Sequence, residues 1–442
     1  MTAADGWQPP GTAARTEPAA ATTLLGQLQR GLGQGFVAAL AAGAAAHDAV
    51  IEGVGRPATG EPTACFVRYF AELVLTLAVP IDGLIAVAAA DGSLAPAVLA
   101  GTWRLGHADV RRLLQDPATP EPLLARIVGE LWARGWATRT ELPPPAARLW
   151  LQFALDEADS AAARRPPLSP ADYDSLAVQQ LLELGRDVRH EQTYTLFAAL
   201  RRQDGEPLRQ ALAHEVQHGL VFGKARLAAR VLGALGDERL LPLAIELFGR
   251  ADDARGHGPR LAGYDRMRRS CLQSYVCQLP PLRALQLARA WRGRGGYFEV
   301  VAGAVLAEFA EGDDRLALER LVARHLGADD GFDLLHELEA LGKLGDARSA
   351  PLLIEVAGQT VSPAVRCRAL LALAAMANAP GAAAVLRLAL WDADDEAAVV
   401  ACGVPVRGGD AAARHRLTAL AGHALAGERL RAAATAANLR HR

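Results

Sequence analysis

Two stretches of this chain are near-copies of each other. Leu232–Gly249 reads LGALGDERLLPLAIELFG, and Leu341–Gly358 reads LGKLGDARSAPLLIEVAG, with Leu, Gly, Leu, Gly, Asp, Arg, Pro, Leu, Ile, Glu and Gly shared in one register. Each reads as the end of one helix, a Gly-Asp turn and a second helix running back. Gly236 and Gly345 stand where a helix C-terminus favours a left-handed residue. The aspartate that follows can bond the free amides of the next helix. Pro242 and Pro351 fall in a first helical turn, where a missing N–H costs little.

The turn aspartates set a period. Asp204 precedes Asp237 by 33 residues, Asp313 precedes Asp346 by 33, and a further 33 reaches Ala379, in a turn with Pro380 and Gly381. Asp313 follows Asp237 by 76 residues, room for two longer units with a turn near Cys277–Leu285. A fixed period in this range means stacked helical hairpins, each hiding its apolar stripe against its neighbours. The predicted stripes are Leu227, Val231, Ala234 and Leu235; Leu241, Ile245 and Phe248; and Val365, Ala369, Ala372, Leu373 and Met376. Lys224, Arg226 and Arg230 are predicted to lie off the first of these.

This register resembles the HEAT repeats, in particular the bacterial HEAT-like class first described in phycobilisome lyases, from about Asp187 to Asn378. The resemblance implies an all-α, right-handed α-solenoid of HEAT-like helical hairpins. Such arrays serve as scaffolds, inhibitors, enzymes and nucleic-acid binders, so it implies architecture and not activity.

Composition agrees with a helical chain: 51% of the 442 residues are apolar and only 5% aromatic. A net charge of -2 selects neither nucleic acid nor membrane. Cys65, Cys271, Cys277, Cys367 and Cys402 are scattered and odd in number, which predicts free thiols in a reducing compartment. The N-terminus lacks a signal peptide's basic start and apolar core. The most apolar run, Leu73–Ala100, is interrupted by Pro80, Asp82, Asp91 and Pro96, so no bilayer-spanning stretch and a cytoplasmic location are expected.

Along the chain, residues 1–20 read as a disordered tail, 21–165 as a divergent helical N-terminal region and 170–442 as the repeat array. Proline clusters at Pro143–Pro145 and Arg164–Pro170 mark breaks, and Ser169–Asp172 reads as a helix cap. Gly106-His107 stands where Gly-Asp would, with His107 as a turn cap. Trp391–Glu396 reads as an acidic helix start favoured by the helix dipole.

Three groups of residues bear on function. His214-Glu215-Val216-Gln217-His218 is a literal H-E-x-x-H. On a helix both histidines share a face and can ligate zinc, with Glu215 as general base. Glu238, 20 residues beyond His218, resembles the third ligand of the thermolysin-like gluzincins. The chain departs from that family in placing this glutamate in a turn, without the N-E-x-x-S-D motif. The pairs His190-Glu191, His214-Glu215 and His336-Glu337 loosely resemble those of the HEAT-repeat deoxyhypusine hydroxylases, but stand at inequivalent repeat positions. Finally, Arg250–Tyr297 carries ten arginines interleaved with Tyr264, Tyr275, Trp291 and Tyr297. Arginines with stacking aromatics suit phosphate and base contacts, and the stretch resembles the basic face of HEAT-like alkylpurine DNA glycosylases without their catalytic aspartate.

The expected function is that of a protein-binding scaffold or adaptor without catalysis and without a cofactor. The interaction patch is placed at Arg260, Tyr264, Arg266, Arg268, Arg269 and Trp291. A metal-dependent protein using His214, His218 and Glu238 is the alternative reading, and a nucleic-acid binder the next.

Overall fold

A computed structural model describes residues 18–57, 64–88, 93–157, 176–186, 190–250, 259–326, 334–406 and 410–440. Most of the expected tail, the Arg164–Pro170 cluster and the Ser169–Asp172 cap lie outside these. Among the described residues the fold is all-α, with no strand. Two compact units divide the chain. One joins Met1–Ala162 to Gly345–Arg442, and the other is Ala163–Leu344.

The first unit begins with α1 (Leu24–Gln29), α2 (Gly33–Ala42), α3 (His47–Gly55), α4 (Ala64–Leu77), α5 (Ile81–Ala88), α6 (Ala95–Arg104), α7 (Ala108–Gln115), α8 (Glu121–Ala133) and α9 (Pro144–Glu157). The second unit holds α10 (Val178–Leu184), α11 (His190–Arg202), α12 (Glu206–His218), α13 (Phe222–Ala234), α14 (Leu241–Gly249), α15 (Pro259–Val276), α16 (Pro281–Trp291), α17 (Tyr297–Phe309), α18 (Arg315–Leu326) and α19 (Leu334–Leu344). The chain then returns to the first unit with α20 (Ala350–Gln359), α21 (Pro363–Ala375), α22 (Ala382–Leu388), α23 (Asp395–Cys402), α24 (Ala411–Ala421) and α25 (Glu428–Arg440).

In the second unit α11, α13, α15, α17 and α19 pack side by side as one layer. The helices α12, α14, α16 and α18 form the other layer, each packed on the next member of the first. The turns are built as their sequence requires. Gly236 and Gly345 have φ of 66° and 63°, in the left-handed region. The carboxylates of Asp237 and Asp346 accept from the amides of Arg239 and Arg348, each at 3.0 Å. Pro242 and Pro351 sit in first helical turns. Successive turns are also linked by charge. Arg209 takes Asp204 in a two-pronged pair and reaches Asp237 at 3.5 Å, while Arg239 takes Glu206.

The α21 stripe is buried as expected, and in the α13 stripe Leu227 and Val231 are buried while Ala234 and Leu235 are half-buried. In α14 the inward face is Leu241, Ala244, Leu247 and Phe248, and Ile245 points outward, 42% exposed. Those four positions fill one arc of a 3.6-residue period, and Leu243 and Ile245 fall beyond its two edges. Lys224, expected off the α13 stripe, is buried, because its ammonium pairs with Glu183 while its stem packs inside.

Gly233 lets α13 lie against α15: a methyl there would run into the main-chain carbonyl of Tyr275. Gly233→Ala is therefore expected to destabilise the second unit by about 1–3 kcal/mol, since backbone cannot step aside as a side chain can. Urea unfolding checks this, and an unchanged midpoint would contradict the packing.

The first unit closes on a buried ionic cluster. Arg366, 1% exposed, forms a two-pronged pair with Asp392, 2% exposed, both contacts at 2.9 Å. Arg68 on α4 donates to Asp395 at 3.0 Å and to the carbonyls of Asp392 and Ala393. Glu72, one turn further along α4, receives Arg416 at 3.0 and 2.9 Å and the His423 ring at 2.7 Å. The main chain joins in, with the Ala393 amide donating to the Gly31 carbonyl at 2.8 Å and the Tyr69 hydroxyl to the Leu32 carbonyl at 2.9 Å. Trp391–Glu396 is thus more than an acidic helix start. Asp394 caps α23 through the Ala397 amide as expected, but Asp392 is a core ion.

His107 caps α7, its ring accepting from the Asp109 amide at 3.3 Å. One expectation about apolar runs needs correcting. Gly33–Gly55, 23 residues with a mean hydropathy of 1.4 over its most apolar window, is long and apolar enough by composition to cross a membrane. It is rich in alanine and glycine, with few charges, and was overlooked beside Leu73–Ala100. The run bends at a 3-10 turn, Gly43–Ala46, and buries Phe36, Ala39, Val50 and Val54 within the first unit.

Candidate functional site

The residues singled out in the sequence do not converge. His214 and His218 stand one turn apart on α12 with ring centroids 4.7 Å apart, both exposed. Glu238 is held instead by Arg283 from the following hairpin, at 2.8 and 3.0 Å. No group of three or more His, Cys, Asp or Glu that could hold a metal occurs among the described residues. Glu337 is buried in the second unit, whereas the side chains of His190 and Glu191 lie outside the described residues.

The arginine-rich stretch is largely spent on its own neighbours. Arg269 is buried and donates to the Leu247 and Arg250 carbonyls, each at 2.9 Å. Trp291 is 3% exposed, in an aromatic cluster with Phe248 and Phe298. Neither can serve as the surface contact expected of it, because a helix that packs on both neighbours hides part of its polar face too. Arg268 lies over the Tyr264 ring at 4.1 Å and donates to its hydroxyl at 2.7 Å, and that hydroxyl donates to the Gly219 carbonyl. Arg289 and Arg292 converge on Asp314, and Arg250 on Glu246 and Asp265. Arg266 is exposed, and the side chain of Arg260 lies outside the described residues.

What the second unit does form is a groove of about 590 Å³ on the layer made by α11, α13, α15, α17 and α19. Arg226 and Arg230 enter it from α13 and Arg186 from the end of α10, while Tyr194 and Phe222 flank them. Opposite, α15 contributes Ser270, Gln273 and Ser274, and the turn that follows it contributes Cys277 and Gln278. No carboxylate is among the described residues that line it.

Its electrostatics follow from that lining. Arg226 lies 5.8 Å from the Phe222 ring centroid and Arg230 5.4 Å from that of Phe197. Neither has a carboxylate partner among the described residues. Desolvation by burial, and then the neighbouring Arg226, pull the Arg230 guanidinium below its ordinary pKa. Glu183, on α10, is engaged by Lys224 and Arg186. These residues carried a usable signal: Phe222, Arg226 and Arg230 recur at a spacing of four along one helix face. It was outweighed by the denser run of arginines that follows.

Cys277 is the one thiol among the described residues that line the groove, and burial pushes its pKa up to about 12, with Glu308 adding to the shift. A thiol held protonated is a poor nucleophile. Iodoacetamide at pH 8 is expected to alkylate Cys277 on the order of a thousandfold more slowly than an unperturbed thiol. Peptide mass spectrometry over time measures this, and modification at the free-thiol rate would overturn the assignment. Cys271, Cys367 and Cys402 are likewise raised by burial, to about 12, 11 and 11.

No known protein family, no curated protein and no solved structure matches this chain.

Proposed function

We propose that the repeats form a right-handed HEAT-like solenoid that binds a protein partner along the grooved face of the second unit, without chemistry of its own. The observation that carries the reading is the groove itself: a hollow lined by cations, aromatics and neutral polar groups, on a layer of helices fixed by their packing. Pre-ordered surfaces of this kind bind without first having to order themselves. The protonated Cys277 thiol supports a binding role over a catalytic one. The unpaired Cys271, Cys277, Cys367 and Cys402 support a reducing, cytoplasmic setting.

A photo-crosslinking residue placed at Gln273, in the groove, tests the reading beside one at Leu282, which is 77% exposed on α16 of the other layer. In the producing cell, the first is expected to trap a discrete protein adduct and the second none. Free protein at both positions would reject the partner reading.

A further inference from the structure

We propose that the groove receives an extended, acidic peptide segment, with its carboxylates on Arg226 and Arg230 and its main chain along the polar row of α15. This rests on the partner reading above and gives the partner a chemistry.

Charge is the first argument. Arg226 and Arg230 are a pair of like charges one turn apart, with no described carboxylate lining their groove. A bound anion would relieve both the desolvation of Arg230 and its repulsion from Arg226. The two side chains already stack on Phe222 and Phe197, so little rotamer freedom remains to be lost when a ligand docks.

The polar row selects a peptide over a phosphodiester chain. Ser270 and Gln273 or Ser274 follow one another by about one helical turn of α15, a rise of ~5.4 Å, and Gln278 extends the row in the turn beyond its C-terminus. An extended chain repeats its outward-facing groups every ~6.6 Å, a comparable step. The amide oxygen of Gln273 accepts from the Tyr297 hydroxyl at 3.0 Å, which leaves its N–H groups for a ligand. The Ser274 hydroxyl donates to the Ser270 carbonyl at 3.1 Å, which leaves its lone pairs to accept. Gln278 offers both roles. A peptide main chain presents donors and acceptors alternately and can use such a row. A phosphodiester presents only acceptors and would leave the accepting groups of α15 without hydrogen bonds. Leu196, Leu227 and Phe222 give an apolar floor for the residues between the acids.

Fluorescence anisotropy on the full chain tests this, with a labelled peptide of about eight alternating Glu and Leu residues, spanning a few helical turns of groove. The comparison probes are its Gln-for-Glu counterpart and a single-stranded DNA of equal charge. The acidic peptide is expected to bind, with affinity falling as salt rises. The Gln peptide, and separately the Arg226→Gln/Arg230→Gln variant, are expected to weaken binding by roughly tenfold or more, the loss of charge-assisted hydrogen bonds. Both arginines reach solvent, so the variant should fold, which circular dichroism verifies. If it does not, the Glu-against-Gln contrast on the unaltered protein decides. Equal binding of the two peptides, or tighter binding of the DNA, would overturn the proposal. So would failure of the acidic peptide to bind while Gln273 still crosslinks a protein, since the partner would then be read by other chemistry. Failure of that crosslink would remove the partner reading itself.

Discussion

Replacing Arg366 by methionine is expected to lower the stability of the first unit by about 3–5 kcal/mol, the cost of stranding one member of a buried ion pair. Its partner, Asp392, is 2% exposed, and each of its carboxylate oxygens accepts from Arg366 at 2.9 Å. The Asp394 amide, donating at 2.9 Å, is too little to hold the charge alone. Methionine fills most of the volume, so the loss measures charge and not a cavity. A second substitution, Asp392→Asn, should recover part of it, because the stranded charge is then removed too. Chemical denaturation of the two single variants and the double variant gives the coupling. A loss below about 1 kcal/mol for Arg366→Met would mean that the pair is solvated or dispensable.

Acid should act through the neighbouring carboxylate. Burial alone would raise the pKa of Glu72, but Arg416, the His423 hydrogen bond and Arg68 outweigh it and hold the carboxyl far below its usual range. A group depressed in the folded state contributes stability that is complete above its unfolded pKa, near 4.3 for glutamate, and is lost as pH falls toward the folded value. Below about pH 4 the unfolded chain binds a proton that the folded chain refuses. The unaltered protein should therefore lose about 1.4 kcal/mol more per pH unit than a Glu72→Gln variant does. At neutral pH the variant should be the less stable of the two, since it leaves Arg416, itself 7% exposed, without its carboxylate. Urea midpoints from pH 7 to pH 3 provide the comparison, and parallel slopes would show that Glu72 titrates normally.

Local features of the fold were legible because they are local. The turn glycines, the capping aspartates, the first-turn prolines and the His107 cap each depend on residues within a few positions. Stripe positions were legible except where packing overrode them, as at Ile245 and Lys224. The buried cluster was not legible. Nothing in RYFAEL says that Arg68 will meet Asp395, or Glu72 meet Arg416, because charge carries no address along the chain. The candidate site was half legible. Arginines with aromatics were the right vocabulary, but in Arg250–Tyr297 neighbouring acids and carbonyls engage Arg250, Arg269, Arg283, Arg289 and Arg292. The groove instead takes Arg226 and Arg230 from α13, where no described carboxylate pairs with them.

The cluster that joins α4 to the last helices also fixes an order of events during synthesis. Arg68 and Asp395 are separated by 327 positions and Glu72 and Arg416 by 344. A chain emerging N-terminus first must carry α1–α9 unfinished while the whole of Ala163–Leu344 is made. That middle unit, whose contacts run between successive hairpins, has everything it needs as soon as it leaves the ribosome. The part translated first thus meets the last partners of Arg68 and Glu72 only when the final helices have been made.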